Sequence, residues 1–161
     1  MRSAMEQPIR RECSVMSNLR CCCHTKDGSS SPCRRLLLAR LHGERLGEWE
    51  AAAEVAEGVL GIEPFNPWVR IEAHRLLGRG QAALGRRSEA FESVERAAAE
   101  AVGARCVWFE FLSLRDALKW CGPSDAPGVR SRLAEVLGRL KATEEELAGV
   151  VGEAVMVEKQ A

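Results

Sequence analysis

Five of the seven cysteines in this 161-residue chain crowd into its first 35 residues, beside His24. Thiolate and imidazole are the ligands that tetrahedral zinc prefers, so these residue types could bind a metal ion. Zinc modules place paired ligands about two to four residues apart, however, and three consecutive cysteines cannot all reach one ion without strain. The sequence therefore predicts no metal site and no cofactor from this cluster, which comprises Cys13, Cys21, Cys22, Cys23 and Cys33.

The same segment allows other interpretations. S-acylation of the cysteine run beside Arg20 and Lys26 would dock the chain on a membrane, and the Arg- and Ser-rich composition weakly resembles an organelle transit peptide. The segment has no periodic apolar face and no apolar core of the secretory type. We therefore predict a disordered, reduced leader over residues 1–35 of a cytoplasmic protein, with acylation and organelle import as the alternatives.

The remainder of the chain has the composition of a helical protein. Alanine, leucine, arginine and glutamate dominate from residue 36 onward, and strand-favouring runs are absent, so the predicted class is all-α. Lys plus Arg and Asp plus Glu both number 23, which gives a formal net charge of zero and no electrostatic reason to expect a nucleic-acid partner. No stretch approaches the ~18–20 apolar residues of a spanning helix, so we expect no stable membrane insertion.

A pattern repeats at a step of 38 positions, from Gly47 and Ala52 to Gly85 and Ala90. Each glycine follows a leucine that closes an apolar-periodic stretch, where a helix C-terminus favours a residue that tolerates positive φ. A second helix opens after each glycine, with small residues on its apolar face that let two helix backbones approach closely. The sequence therefore predicts antiparallel helix hairpins with tight turns.

A proline-rich loop separates the two copies. Pro64 cannot continue the preceding helix, and Asn66 before Pro67 is a good N-cap followed by proline at the first helical position. A helix hairpin that repeats every 30–50 residues or so is typical of a stacked solenoid, because one hairpin cannot bury its own apolar face.

The segment "AHRLLGRGQAALGRRSEAFESVERA" (73–97) resembles a tetratricopeptide repeat. The resemblance extends over about residues 36–120 and implies a short solenoid of two to three helix hairpins, although the step is longer than the family's usual ~34 residues. Segment 46–64 resembles the turn and second helix of the preceding repeat, and 105–120 resembles the first helix of a third. The residues that carry the resemblance are Gly47, Ala52, Pro64, Leu77, Gly78, Gly85, Ala90, Ala97 and Trp108.

The C-terminal part continues the helical periodicity. Apolar residues recur on one face from Val129 to Leu140, and Thr143 with Glu146 forms a capping-box pattern that opens a last helix. We predict that these two helices cap the solenoid, so that one helical domain spans residues 36–157 and residues 158–161 form a tail.

The resemblance implies that the first helix of each hairpin lines a concave, partner-binding face. It would expose Glu72, Arg75, Arg79, Phe109, Ser113 and Asp116. Some tetratricopeptide domains grip a terminal carboxylate with Lys, Asn and Arg, but the corresponding positions here are Leu37, Leu41, Leu76, Cys106 and Glu110, so that clamp is absent. The aromatic run "WFEFLSLRD" (108–116) has two interpretations, a helix buried on several sides or a wall that contacts a peptide.

Nothing in the sequence indicates catalysis. His24, His42 and His74 are isolated from any Ser, Cys or carboxylate that could complete a nucleophile and base. We therefore predict a non-enzymatic module that binds a protein or peptide partner in the groove of a tetratricopeptide-like solenoid. The alternatives are a helical regulatory or oligomerisation segment of a larger signalling or transcription-regulator-like assembly, in which case the chain would form homo-oligomers, and a fragment without independent function.

Overall fold

The computed structural model describes residues 31–62 and 66–141, and all the regular elements in these two ranges are helical. This confirms the all-α prediction. Pro64, the cysteine-rich segment up to residue 30 and the last helix predicted after Thr143 lie outside the described residues. The elements are α1 (Pro32–Leu41) with a π-helical turn (His42–Leu46), α2 (Trp49–Leu60), α3 (Pro67–Ala83), α4 (Arg87–Gly103), α5 (Val107–Trp120) and α6 (Ala126–Leu140).

Two helix starts follow from serine or asparagine placed before proline. The Asn66 side chain accepts a hydrogen bond from the Trp68 backbone N–H at 3.0 Å, and Pro67 occupies the first turn of α3 without loss of a hydrogen bond. Ser31 and Pro32 occupy the corresponding positions at α1. Because of this start, α1 begins before residue 36, the boundary predicted from composition.

The turn glycines take the left-handed backbone conformation that a helix C-terminus requires, with φ of 73° at Gly47 and 80° at Gly85. After α3, the Arg86 N–H donates to the Gln81 carbonyl at 2.8 Å, which closes the turn. After α1, the chain widens into the π-helical turn, and Gly43 lies against the Trp49 ring. A Cβ at Gly43 would come within 2.7 Å of that ring, so only glycine fits there.

Successive helices pack against each other in antiparallel pairs. In α3 and α4, Arg70 pairs with Glu100 at 2.6 Å, while Ser93 Oγ donates to Gln81 Oε1 at 2.7 Å. Residue numbers therefore rise along α3 as they fall along α4, as the predicted hairpin requires.

Alternate helices also touch, because α1 contacts α3 and α3 contacts α5. The Trp68 and Phe109 ring centroids lie 5.6 Å apart, and Arg75 bonds Asp116. Both contacts join residues 41 positions apart, so α3 and α5 run parallel. The helices thus form two layers, with α1, α3 and α5 in the first layer and α2, α4 and α6 in the second.

In residues 31–62 and 66–141, the core consists of three successive apolar clusters. The first joins α1, α2 and α3, the second joins α3, α4 and α5, and the third joins α4, α5 and α6. Alanines fill much of the space between helices, and Ala52, Ala90 and Ala97 are almost completely buried. Among the described residues, no helix combines the length and apolarity needed to cross a bilayer.

Two glycines let the central helix α3 lie close to both of its neighbours. A Cβ at Gly78 would come within 2.7 Å of Val94 on α4, and one at Gly80 within 2.9 Å of the Ala53 Cβ on α2. Residues two positions apart on a helix point in nearly opposite directions. The "GRG" sequence therefore presents one glycine to each neighbouring helix and directs Arg79 between them, toward the first layer.

We predict that Gly80→Ala destabilises the protein by about 1–3 kcal/mol, because the added methyl overpacks the contact between α2 and α3. A side-chain rotation cannot relieve this overlap, since the new Cβ would also lie only 3.0 Å from the backbone oxygen of Trp49. Urea unfolding followed by far-ultraviolet circular dichroism measures the change.

Gly138→Ala is the matched control, because a Cβ at Gly138 meets no atom within 4 Å and alanine favours the helix. It should leave stability unchanged or raise it by up to about 1 kcal/mol. Equal effects of the two substitutions would contradict the close approach of α2 and α3.

Candidate functional site

A groove of about 800 Å³ opens on the first layer, and we call it the first-layer groove. It is bounded by α1 with its π-helical turn, by α3 and by α5, with Trp49 of α2 at one side. Its lining residues are Arg40, Glu44, Trp49, Glu72, Arg75, Arg79, Ala82, Ala83, Trp108, Phe109, Leu112, Arg115, Asp116, Lys119 and Trp120.

Helical spacing explains why α3 and α5 direct charge into the groove. Glu72, Arg75 and Arg79 are three and four residues apart, so they share one face of α3. Leu112, Asp116 and Lys119 share one face of α5 for the same reason. The parallel packing of α3 and α5 then brings the charged side chains of these two faces together.

Asp116 and Arg75 form a salt bridge at the floor of the groove. Arg75 Nη2 donates to Asp116 Oδ2 at 3.0 Å, and the two residues are only 3% and 1% exposed. Arg75 Nη1 donates to Glu72 at 3.1 Å. Because two charges have left water here, the pair is stable only while both partners are present.

Three further cations surround the Asp116 carboxylate. Arg79 lies 3.5 Å from Oδ2, and Lys119 and Arg115 lie 3.4 Å and 4.0 Å from Oδ1. Arg79 also donates to Glu44 of the π-helical turn at 3.0 Å. The Asp116 carboxylate thereby joins side chains of α3 and α5 and, through Arg79, is linked to the turn after α1.

The surrounding cations determine the ionisation of Asp116. Burial alone would raise the pKa of this carboxyl group, but Arg75, Arg79, Lys119 and Arg115 together outweigh burial and hold the pKa below its ordinary value of 3.8. Asp116 is therefore ionised at neutral pH.

The two buried guanidinium groups differ in their balance of charge. Desolvation would lower the pKa of Arg75, but Glu72 and Asp116 outweigh it and raise that pKa. At Arg115, burial dominates and lowers the pKa, and the nearby Arg75 and Arg79 act in the same direction against the attraction of Asp116. Arg115 is thus the less well compensated cation of the groove.

Aromatic side chains form the apolar part of the groove. Trp49, Trp108 and Trp120 line it together with Phe109 and Leu112. Trp108 also packs on Phe111, with ring centroids 5.5 Å apart, so α5 is both core and groove wall. One face of the run is therefore buried, as the first interpretation requires, whereas contact of its groove-facing side with a peptide stays a prediction.

The structure corrects part of the predicted partner-binding face. Glu72 and Arg79 are partly exposed in the groove, but the expected exposure of Arg75, Phe109, Ser113 and Asp116 is wrong. Phe109 joins the apolar cluster between α3 and α5, and the charged pair described above buries Arg75 and Asp116. Ser113 does not line the groove, since its hydroxyl donates to the Phe109 carbonyl at 2.8 Å inside the helix.

Sequence reasoning also missed several groove residues. Arg40 and Glu44 lie one turn apart and form an ion pair at 3.0 Å, while Arg115, Lys119 and Trp120 extend the groove along α5. The sequence did contain one signal for the buried pair. If α3 and α5 are aligned so that Trp68 lies beside Phe109, the same offset of 41 residues places Arg75 beside Asp116.

A second, smaller concave region lies on a different face of α3, against α4. It has a volume of about 490 Å³ and is lined by Arg70, His74, Arg96, Ala99, Glu100 and Gly103. Burial dominates at His74 and lowers the pKa of its imidazole, with Arg70 and Arg96 adding to this effect and Glu100 opposing it. His74 is therefore neutral at pH 7. Within residues 31–62 and 66–141, His, Cys, Asp and Glu side chains do not gather in groups of three or more that could hold a metal ion.

Comparisons of the chain with protein-family models, with curated proteins and with solved structures find no match. The functional interpretation consequently depends on the groove itself.

We predict that Asp116→Asn destabilises the protein by about 3–5 kcal/mol at pH 7, because it breaks the buried ion pair with Arg75 and leaves that cation with the partly exposed Glu72. Glu92→Gln is the matched control, since it neutralises an exposed carboxylate that pairs loosely with Arg96 at 3.9 Å. The control should change stability by less than about 0.5 kcal/mol. Urea unfolding measures both variants, and equal effects would contradict a structural role for Asp116.

The difference between wild type and Asp116→Asn should also depend on pH. A carboxyl group whose pKa is lower in the folded state stabilises that state fully above its unfolded value of 3.8. This stabilisation is lost as pH falls from that value through the lower folded pKa, whereas asparagine does not titrate. The advantage of the wild type should therefore shrink below pH 3.8, and a constant advantage from pH 6 to pH 2 would be contrary to this assignment.

Proposed function

We propose that this chain is a non-enzymatic protein-interaction module that binds a peptide segment of a partner in the first-layer groove. The observation that carries the proposal is the groove itself, which combines three tryptophans with charged side chains held in place by a buried salt bridge. Large aromatic residues and arginine are the residue types most enriched at sites where proteins bind each other.

We propose further that the helices form a tetratricopeptide-like solenoid. The order of contacts supports this, because each helix packs on the next and the first helices of successive hairpins lie side by side. The positive φ at Gly47 and Gly85 supports equivalent turns in the two hairpins. In such an array the first helices line the concave face, and the groove is lined mainly by α1 with its turn, α3 and α5.

The rigidity of the groove supports peptide binding over a structural role alone. Arg75 pairs with Glu72 of its own helix and with Asp116 of α5. Arg79 pairs with Glu44 and Asp116 on two other elements. Phe109 and Asp116 are buried. A binding surface whose side chains are already ordered loses less conformational entropy when a ligand binds.

The test is a selection of short peptides from a displayed library against the full chain, with affinities measured by isothermal titration calorimetry. Ala83 is exposed and lines the groove, so Ala83→Trp should fill the groove and abolish binding without disturbing the core. Ala134→Trp, at an exposed position on α6, is the matched control and should bind as the wild type does. Failure to select any ligand, or equal binding by both variants, would refute the proposal.

A specific observation favours the alternative of self-association. Leu37, Leu38 and Leu41 of α1 are 58%, 45% and 45% exposed, and Leu46 of the following turn is 64% exposed. If this apolar surface joins two copies, light scattering should give a mass that rises with protein concentration, and Leu37→Ser with Leu41→Ser should restore the monomer. A monomer mass at all concentrations would exclude oligomerisation as the function.

A further inference from the structure

The charges that line the first-layer groove are not balanced. Five cationic side chains face three carboxylates, which are Glu44, Glu72 and Asp116. Each carboxylate already has a partner, because Glu44 accepts from Arg40 and Arg79, Glu72 accepts from Arg75, and Asp116 is surrounded by four cations. The groove therefore has excess positive charge in a partly desolvated setting, where electrostatic attraction is stronger than in water.

Arg115 is where this excess is concentrated. Its side chain is only 11% exposed, and its closest carboxylate oxygen, on Asp116, is 4.0 Å away from Nη2. In the part of the chain that the structure describes, its buried Nε and Nη1 atoms have no hydrogen-bond partner. A guanidinium group carries five N–H donors, and burial without an acceptor is unfavourable. The two buried atoms are not accessible from the groove, but an added anion at this end of it would supply further counter-charge to the guanidinium group through space.

The apolar walls of the groove limit what that anion can be. Three of the four tryptophans in the chain line the groove, and Leu112 lies on the same wall. Such walls favour apolar side chains, whereas Glu44 and Glu72 on the other side would repel a continuous line of phosphates. A ligand that matches both the cationic side chains and the aromatic walls of the groove carries carboxylates next to large apolar side chains.

From this combination we propose that the groove binds an acidic segment of a protein partner, with one of its carboxylates beside Arg115 and Lys119 and an apolar side chain against Trp108 and Leu112. This inference rests on the proposed function and specifies its ligand class. Lys119 is the more exposed of the two cations and would attract the segment, while the less exposed Arg115 would fix its position.

The probes are three synthetic peptides of equal length that alternate leucine with Glu, with Gln or with Lys. Their binding to the full chain is followed by tryptophan fluorescence and by calorimetry. The Glu peptide should bind most tightly, the Gln peptide more weakly and the Lys peptide not at all, and raising the salt concentration should weaken the Glu peptide selectively. Equal affinities for the Glu and Gln peptides would overturn the inference.

Substitutions then locate the contact. Lys119→Ala should weaken binding of the Glu peptide about two- to fivefold, the effect of an exposed charge pair. Arg115→Gln should weaken it roughly tenfold or more, because the attraction between opposite charges is stronger in this less exposed setting. Arg130→Ala removes one cation from an exposed position on α6 and should leave the affinity unchanged. Circular dichroism verifies that each variant is folded, and Lys119→Ala decides the matter if Arg115→Gln unfolds.

Other outcomes separate this inference from the proposed function. Binding of library-selected peptides without preference for acidic residues would refute the acidic ligand and leave the interaction module standing. Failure of all three synthetic peptides together with failure of the library selection would refute both. Tighter binding of duplex nucleic acid than of the Glu peptide, with the same dependence on Arg115, would assign the groove to phosphate and overturn the proposal.

Discussion

The groove depends on one interaction, the buried ion pair between Asp116 and Arg75. Without the Asp116 carboxylate, the buried Arg75 would keep only the ion pair with the partly exposed Glu72 of its own helix, and Arg79 would lose one of its two carboxylate partners among the described residues. Interactions of this kind often contribute little net stability, because desolvation of both charges offsets their attraction. Here the pair instead fixes a geometry, since the carboxylate joins side chains of α3 and α5 and, through Arg79, is linked to the turn after α1.

The close packing of α3 makes that geometry attainable. Gly78 and Gly80 let α4 and α2 approach from opposite directions, so the remaining face of α3 is free to carry Glu72, Arg75 and Arg79. A larger residue at either glycine would move a neighbouring helix outward. The small and the charged residues of α3 therefore depend on each other. The glycines set how closely α2 and α4 pack against α3, and this packing leaves the face with the charged residues directed into the groove.

Local features of this fold could be read from the sequence, whereas the burial of the groove residues could not. A single residue type is enough to predict each of these local features, namely the positive φ at Gly47 and Gly85 and the helix cap at Asn66. The burial of Arg75 and Asp116 depends on the offset between two helices, which is a property of tertiary packing. The resemblance to a helical repeat placed both residues on the face that lines the groove, but it implied that they are exposed, whereas each is buried with the opposite charge packed against it.

The overlap of the three apolar clusters has a consequence for how the molecule opens. Among the residues that the structure describes, helices α3, α4 and α5 each contribute to two clusters, whereas α1, α2 and α6 contribute to one. Amide protons exchange with solvent fastest where local opening disrupts the fewest contacts. Exchange should therefore be faster in α1 and α2 than in α3, α4 and α5, so α1 can detach from one side of the groove while the Arg75–Asp116 pair at its floor stays intact.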